Sequence, residues 1–234
     1  MSDSLHDREI ILAGGTGGLG AETARLLAAE GARVVASYRG NHERASELEG
    51  VASLVQADLT VAEDRERLLS AAPALYGLAV FAGMAARSED QLTESLEVNF
   101  VAPIRLARAA AQRMQTAGVQ GAIVLISTMQ TSAVFANSTT YAAPKAALVH
   151  AARILAKECR GAAGIRVNVI CPGVNDAGMA QASIRAGKYA PYLEAGAIPR
   201  YGRALDVARA VRFFLEADNY ITGQVLTVDG GLTL

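Results

Sequence analysis

Seven short apolar runs, mostly unbroken rather than alternating, punctuate this chain, with longer Ala/Leu/Arg/Glu-rich stretches between them. The runs are Glu9–Ala13, Ala32–Ser37, Ser53–Gln56, Leu78–Phe81, Ala122–Ser127, Arg166–Ile170 and Gln224–Val228. An alternating run wets one face of its strand, whereas an unbroken one belongs to a strand covered on both faces. The stretches Leu19–Glu30, His42–Leu48, Ala62–Ser70, Gln91–Gln115, Tyr141–Arg160 and Asp206–Glu216 have helical composition and supply the covers. Strand–helix–strand alternation with crossovers of this length predicts an α/β chain built on a doubly wound parallel sheet.

No composition shift and no internal repeat divides the 234 residues, so a single domain is expected. One segment stands apart. Asn175 to Arg203 follows a strand, carries Gly178, Gly187, Gly196, Pro191 and Pro199, and is too long for an ordinary connection. It is expected to be a lid or substrate wall.

Composition narrows the function. A net charge of -1 without any Lys/Arg run argues against a nucleic-acid binder. Two cysteines, Cys159 and Cys171, cannot form a disulfide scaffold, and the three histidines are scattered, so neither a metal site nor an oxidising compartment is expected. The polar start, Met1 to Glu9, is no secretory signal, and Ala122 to Ile126 is far shorter than the roughly 20 apolar residues a bilayer demands. A soluble, cytoplasmic protein without membrane or nucleic-acid partners is expected.

The first apolar run leads straight into Gly14-Gly-Thr-Gly-Gly-Leu-Gly20, and a helical stretch follows. A pyrophosphate can sit on such a helix start, where free N–H groups favour anions, as in Rossmann-type dinucleotide sites. The glycines allow two registers: Gly15, Gly17 and Gly20 as G-x-G-x-x-G, or Gly14, Gly18 and Gly20 as G-x-x-x-G-x-G. At the end of the second run, where a carboxylate would accept from a free ribose 2′-hydroxyl, stand Ser37-Tyr38-Arg39. Arg39 can pair with a 2′-phosphate, which favours NADP(H) over NAD(H).

About 120 residues beyond the glycines lie Tyr141 and Lys145, four apart and on one face of a helix. A phenol of ordinary pKa near 10 is a poor acid–base catalyst at neutral pH, and a neighbouring ammonium favours its ionised form. Pro144 is best tolerated if Tyr141 lies in the first helical turn, which places the helix start near Ser138–Thr140.

Taken in order, these motifs resemble the short-chain dehydrogenase/reductase family over essentially the whole chain. The likeness also takes in Asp58-Leu59, Ala82-Gly83, Asn99, Pro172-Gly173 and the closing Thr222-Gly-Gln-Val-Leu-Thr-Val-Asp-Gly-Gly231. The resemblance selects the second glycine register. It assigns cofactor contacts to Gly14, Thr16, Gly17, Gly18, Leu19, Gly20, Tyr38, Arg39, Asp58, Leu59, Ala82, Gly83, Pro172, Gly173 and Val174, besides Tyr141 and Lys145. It implies Tyr141 as the acid–base residue, Lys145 as ribose ligand and depressor of the tyrosine pKa, and Asn99 as the shaper of a helix bulge. The family's serine falls on Thr128, thirteen positions before Tyr141; Ser127, one residue off, would point to the opposite sheet face.

Three departures qualify the match. Val80-Phe81-Ala82-Gly83 lacks the asparagines that brace the family's sheet, and the segment from Thr60 to Leu78 is shorter than usual. Ala177 replaces a threonine that contacts the nicotinamide, a loss for which Asn175 or Asp176 could compensate. The resemblance implies reversible, NADPH-dependent reduction of a small ketone or aldehyde, nearest in kind to 3-oxoacyl-carrier-protein reductases. It also implies a homo-oligomer, tetramer or dimer, packed through the two long helices. Alternatives on the same scaffold are epimerase or dehydratase chemistry with held cofactor, or a dinucleotide-binding sensor without turnover.

Overall fold

A computed structural model describes residues 5–234. Along the chain lie β1 (Glu9–Ala13), α1 (Gly18–Ala29), β2 (Arg33–Tyr38), α2 (His42–Ser46), β3 (Ser53–Gln56), α3 (Ala62–Ser70), β4 (Leu75–Val80), α4 (Leu92–Leu96), α5 (Ala102–Thr116), β5 (Ala122–Ile126), α6 (Thr139–Glu158), β6 (Arg166–Pro172), α7 (Gln181–Arg185), α8 (Ala190–Glu194), α9 (Ala204–Leu215) and β7 (Val225–Val228). The strands form one sheet in the order β3-β2-β1-β4-β5-β6-β7, every neighbouring pair parallel. This is the seven-stranded Rossmann-type arrangement that the apolar runs predict.

Strand β1 shows why the runs are unbroken. Ile11 and Ala13 enter one core, against Leu106, Ala110 and Leu148 of α5 and α6. Ile10 and Leu12 enter the other, against Ala24 and Leu27 of α1 and Val207 and Phe214 of α9. Successive side chains point to opposite faces, and both faces are dry. Chain order reverses between β1 and β4, which opens a crevice at the carboxyl ends of the strands, where open α/β sheets take their ligands.

The single helix expected over Gln91–Gln115 is interrupted. Between α4 and α5 the chain widens into a π-helical turn, Glu97–Val101. Pro103, in the first turn of α5, has no N–H to offer the Asn99 carbonyl, so the i→i−4 ladder fails there. Between β6 and α9 the excursion holds two short helices. Its ends are joined by a bridge from Asn175 to Gly202, with Asp176 N–H on Gly202 C=O at 2.8 Å and Gly202 N–H on Val174 C=O at 2.9 Å. Among the described residues, no helix is long and apolar enough to cross a membrane, and no group of His, Cys, Asp or Glu could hold a metal.

Candidate active site

A cavity of about 500 Å³ lies at the crevice, and the glycine loop forms its floor. The structure settles which glycines the backbone requires. A Cβ on Gly14 (φ +73°) would lie 2.8 Å from Ala82 N, one on Gly18 2.7 Å from Gly178 N, and one on Gly20 2.7 Å from Gly15 Cα. A Cβ on Gly17 would meet nothing nearer than 3.5 Å. Gly15 is equally constrained, at 2.6 Å from Leu12 Cβ, so Gly14, Gly15, Gly18 and Gly20 need to be glycine, and the unconstrained Gly17 is what sets the G-x-G-x-x-G register aside. Gly17, Leu19, Ala82 and Gly83 line the same cavity, whereas Thr16 is buried and does not.

At its outer end the cavity is walled by Tyr38, Arg39, Arg44, Asp58, Leu59 and Thr60. Ser37 lines the same space, and its hydroxyl accepts from Gly14 N–H at 2.9 Å and so ties β2 to the glycine loop. Gln56 holds the Arg39 carbonyl at 3.1 Å, and the Tyr38 ring meets His42 edge-on at 5.1 Å. Asp58 engages one carboxylate oxygen with Thr60, at 2.9 Å to N–H and 2.8 Å to the hydroxyl. Arg44 was not singled out from sequence. It lies in the first turn of α2, where Asn41 caps its N–H at 2.8 Å, and the wall it shares with Arg39 exists only in three dimensions.

Behind Gly83 stands the inner cluster. A Cβ there would lie 2.9 Å from Asn99 Oδ1 and 3.3 Å from Lys145 Nζ. Asn99, fully buried, accepts from Met84 N–H and donates to Met84 C=O, both at 3.0 Å, and donates to Ser95 Oγ at 2.9 Å. Ser95 in turn donates to the Thr140 carbonyl at 2.6 Å. That carbonyl is the one Pro144 cannot serve, four residues on, so Ser95 replaces the missing N–H. Helix α6 starts at Thr139, which places Tyr141 in its first turn, as the proline demands.

Tyr141 and Thr128 come together. The Thr128 hydroxyl acts on the Tyr141 phenol to favour its ionised form, but desolvation outweighs this and leaves the phenol pKa raised. Ser127 faces the other way, its hydroxyl donating to the Lys145 carbonyl at 3.0 Å. Lys145 Nζ donates to the Ile126 carbonyl at 2.9 Å, and burial lowers its pKa to about 8. The depression of Tyr141 expected from Lys145 is absent in this arrangement: Lys145 is not among the groups that set the phenol's pKa, and desolvation dominates both residues.

Comparison with known proteins decides the family. A family model described as Enoyl-(Acyl carrier protein) reductase matches residues 13–233. The 3-oxoacyl-[acyl-carrier-protein] reductase MabA of Mycobacterium avium is 31% identical over 235 residues, 96% of this chain and 89% of that protein. A short-chain type dehydrogenase/reductase from Mycobacterium ulcerans superposes with a TM-score of 0.91 at 26% identity, covering 98% of this chain and 91% of the other. The chain belongs to the short-chain dehydrogenase/reductase family. An actinorhodin polyketide ketoreductase, solved with NADPH, superposes with a TM-score of 0.84 at 26% identity over 97% of each chain. Members are oxidoreductases that bind a nicotinamide dinucleotide.

Within the family this chain has its own solutions. Phe81, where an asparagine brace is usual, packs on the core shared by α1 and α9 and also lines the cavity. Ala177 lies against Gly18, so the first residues of the excursion after β6 form a cavity wall. Asn175 does not line the cavity. Its side chain is buried, donates to Gly173 C=O at 2.9 Å and packs on Gly202, while Asp176 is exposed. Pro172, Gly173, Val174, Tyr141 and Lys145 do not line the cavity; Gly173 packs on Asp229 of the closing motif, which explains that motif's place beside the turn.

Proposed function

We propose that the protein is an NADPH-dependent reductase of ketones or aldehydes, working in reverse as an alcohol dehydrogenase. The observation that carries this reading is the Lys145 ammonium and the Asn99 amide converging behind Gly83, at 3.3 and 2.9 Å from where a Cβ would lie, with the Thr128 hydroxyl acting on the half-buried Tyr141 phenol. The cofactor fits the residues present. Four glycines of the loop, Gly14, Gly15, Gly18 and Gly20, leave no room for a Cβ, which keeps the backbone open to a pyrophosphate, and two arginines wall the outer end with no carboxylate within 4.0 Å among the described residues.

When bound, NADPH supplies the hydride. Thr128 donates to the substrate carbonyl and orients it. Tyr141, kept protonated by burial, gives its proton to the oxygen as charge develops there. Lys145, buried behind Gly83, binds the nicotinamide ribose and is next in line to return a proton. Arg39 and Arg44 hold the 2′-phosphate, Asp58 keeps a carboxylate oxygen for the adenine amino group, and the Ala177–Met179 wall closes over the diphosphate. Self-association through α5 and α6 is part of the same reading, supported by Ile154, 43% exposed on α6.

Consumption of NADPH with a panel of ketones and aldehydes tests the proposal. Steady oxidation supports it. Retained cofactor with isomerised or dehydrated product would replace it with non-redox chemistry, and binding without turnover would leave a sensor.

A further inference from the structure

The walls at the outer end of the cavity stand on the least supported part of the sheet. Strand β3 is an edge, four residues long, paired only with β2 and exposed at both its ends. The turn that follows it, Asp58-Leu59-Thr60, lines the cavity, as does Arg39 at the end of β2. An edge strand offers hydrogen bonds on one side only, so the turn has to find its partners elsewhere. It finds them on α3. Asp58 N–H donates to Asp64 Oδ2 at 2.7 Å, and Arg65 donates to the Leu59 carbonyl at 2.6 Å. The second Asp64 oxygen meets the Arg67 guanidinium at 2.7 Å, and Arg67 donates to the Gln56 carbonyl, also at 2.7 Å. The Gln56 amide then donates to the Arg39 carbonyl at 3.1 Å.

Asp64, Arg65, Arg67 and Gln56 do not line the cavity themselves. Their bonds reach backbone atoms of residues that do: Asp58, Leu59 and Arg39. The start of α3 explains why Asp64 is available for this. Val61 stands in the capping position without a polar side chain, and its N–H is already taken by the Asp58 carbonyl at 3.0 Å. A carboxylate at the third position of a helix ordinarily bonds the N–H of the cap residue. Asp64 instead reaches back six residues to Asp58. A staple for the helix alone would have stopped at Val61.

We propose that Asp64, supported by Arg67, is a positioning residue for the adenosine end of the dinucleotide, holding the Asp58–Thr60 turn and, through Gln56, the backbone of Arg39. This rests on the reading of the cavity as a dinucleotide site. The two branches of the network serve different parts of the ligand. The turn after β3 meets the adenine, which NADH and NADPH share, whereas Arg39 serves the 2′-phosphate of NADPH alone. A ligand that binds one arrangement of a turn loses affinity in proportion as that arrangement becomes less populated. If release from Asp64 leaves the turn correctly placed about one time in ten, both cofactors weaken about tenfold.

The test is direct titration of NADPH and NADH, with amide hydrogen exchange of the cofactor-free protein alongside. Asp64→Ala should weaken both cofactors about tenfold and raise the KM for NADPH, with kcat at saturating cofactor nearly unchanged. Asp64→Asn should recover most of the loss, because its amide oxygen can still accept from Asp58 N–H. Gln56→Leu should weaken NADPH and spare NADH, a split that a loss of stability alone does not produce. Glu63→Gln, one residue from Asp64 and exposed, controls for charge at the start of α3 and should change neither affinity. Without any cofactor, Asp58 N–H should exchange about tenfold faster in Asp64→Ala than in the parent. Unchanged exchange at Asp58, or unchanged affinity for both cofactors in Asp64→Ala, overturns the proposal and leaves the reductase standing. A parent protein that binds neither cofactor removes the dinucleotide reading and the proposal together.

Discussion

The outer end of the cavity presents two arginine side chains without carboxylate partners among the described residues, and the inner end groups already satisfied. Around Arg39 and Arg44 the backbone is tied down by Gln56 and Asn41, but neither guanidinium has a carboxylate partner among the described residues. Around Tyr141 nearly every polar atom has a bond: Asn99 to Met84 and Ser95, Ser95 to Thr140, Ser127 to Lys145, Lys145 to Ile126. The difference follows from water. Exposed charges stay solvated until a ligand arrives, whereas a buried polar atom without a partner costs about 1–3 kcal/mol at all times. Binding is prepared by vacancy and chemistry by preorganisation, and mutations at the two ends should separate accordingly.

The sharpest separation is Tyr141→Phe. Only the transferable proton is lost, so turnover should fall a hundredfold or more while NADPH binds as before. A loss below about tenfold would remove the general-acid role, and a parallel loss of NADPH affinity would merge the two ends into one.

At the outer end the reverse is expected. Arg39→Ala and Arg44→Ala should each weaken NADPH about tenfold or more, barely affect NADH, and leave kcat at saturating cofactor nearly unchanged. Direct titration of both cofactors decides it. Equal affinity of the parent for NADH and NADPH would reduce both arginines to surface charge.

Lys145 shows what preorganisation costs. Its pKa falls from the usual 10.5 to about 8 because burial disfavours the ammonium. The folded state therefore binds fewer protons than the unfolded between those values, and stability from this group rises with pH across that window. Below about pH 8 the cost is fully present. Lys145→Met should stabilise the protein at pH 7 by up to about 3 kcal/mol, lose that gain towards pH 10, and abolish turnover. A destabilised Lys145→Met protein at pH 7 would show that the Ile126 bond outweighs burial.

How far each end can be read from sequence follows the same line. The strands and the glycine loop are local patterns, so Glu9–Ala13 and Ser53–Gln56 form as the apolar runs predict. The choice between glycine registers is less local, because it depends on Ala82 and Gly178 pressing on the loop. Arg44 escapes a motif read from the end of β2, since it is the turn of α2 that returns it to Arg39. Ser95 is not legible at all. Its partner is 45 residues away, and the need for it is created by the proline at position 144.

That last dependence gives the smallest and most specific effect. Ser95→Ala strands the Thr140 carbonyl in a helix where Pro144 offers no N–H, and it removes one partner of Asn99. The cost should be about 1–3 kcal/mol in a denaturant midpoint, with a modest fall in kcat as the Asn99 turn and the first turn of α6 loosen. Pro144→Ala supplies an N–H four residues beyond Thr140, so the carbonyl regains a helical partner without Ser95. In that background Ser95→Ala should cost clearly less, though not nothing, because the Asn99 bond is still lost. A double-mutant cycle measures the coupling directly. If Ser95→Ala costs the same with proline or alanine at position 144, the hydroxyl is not standing in for the proline's missing donor. The inner end would then be held together by packing rather than by its chain of hydrogen bonds.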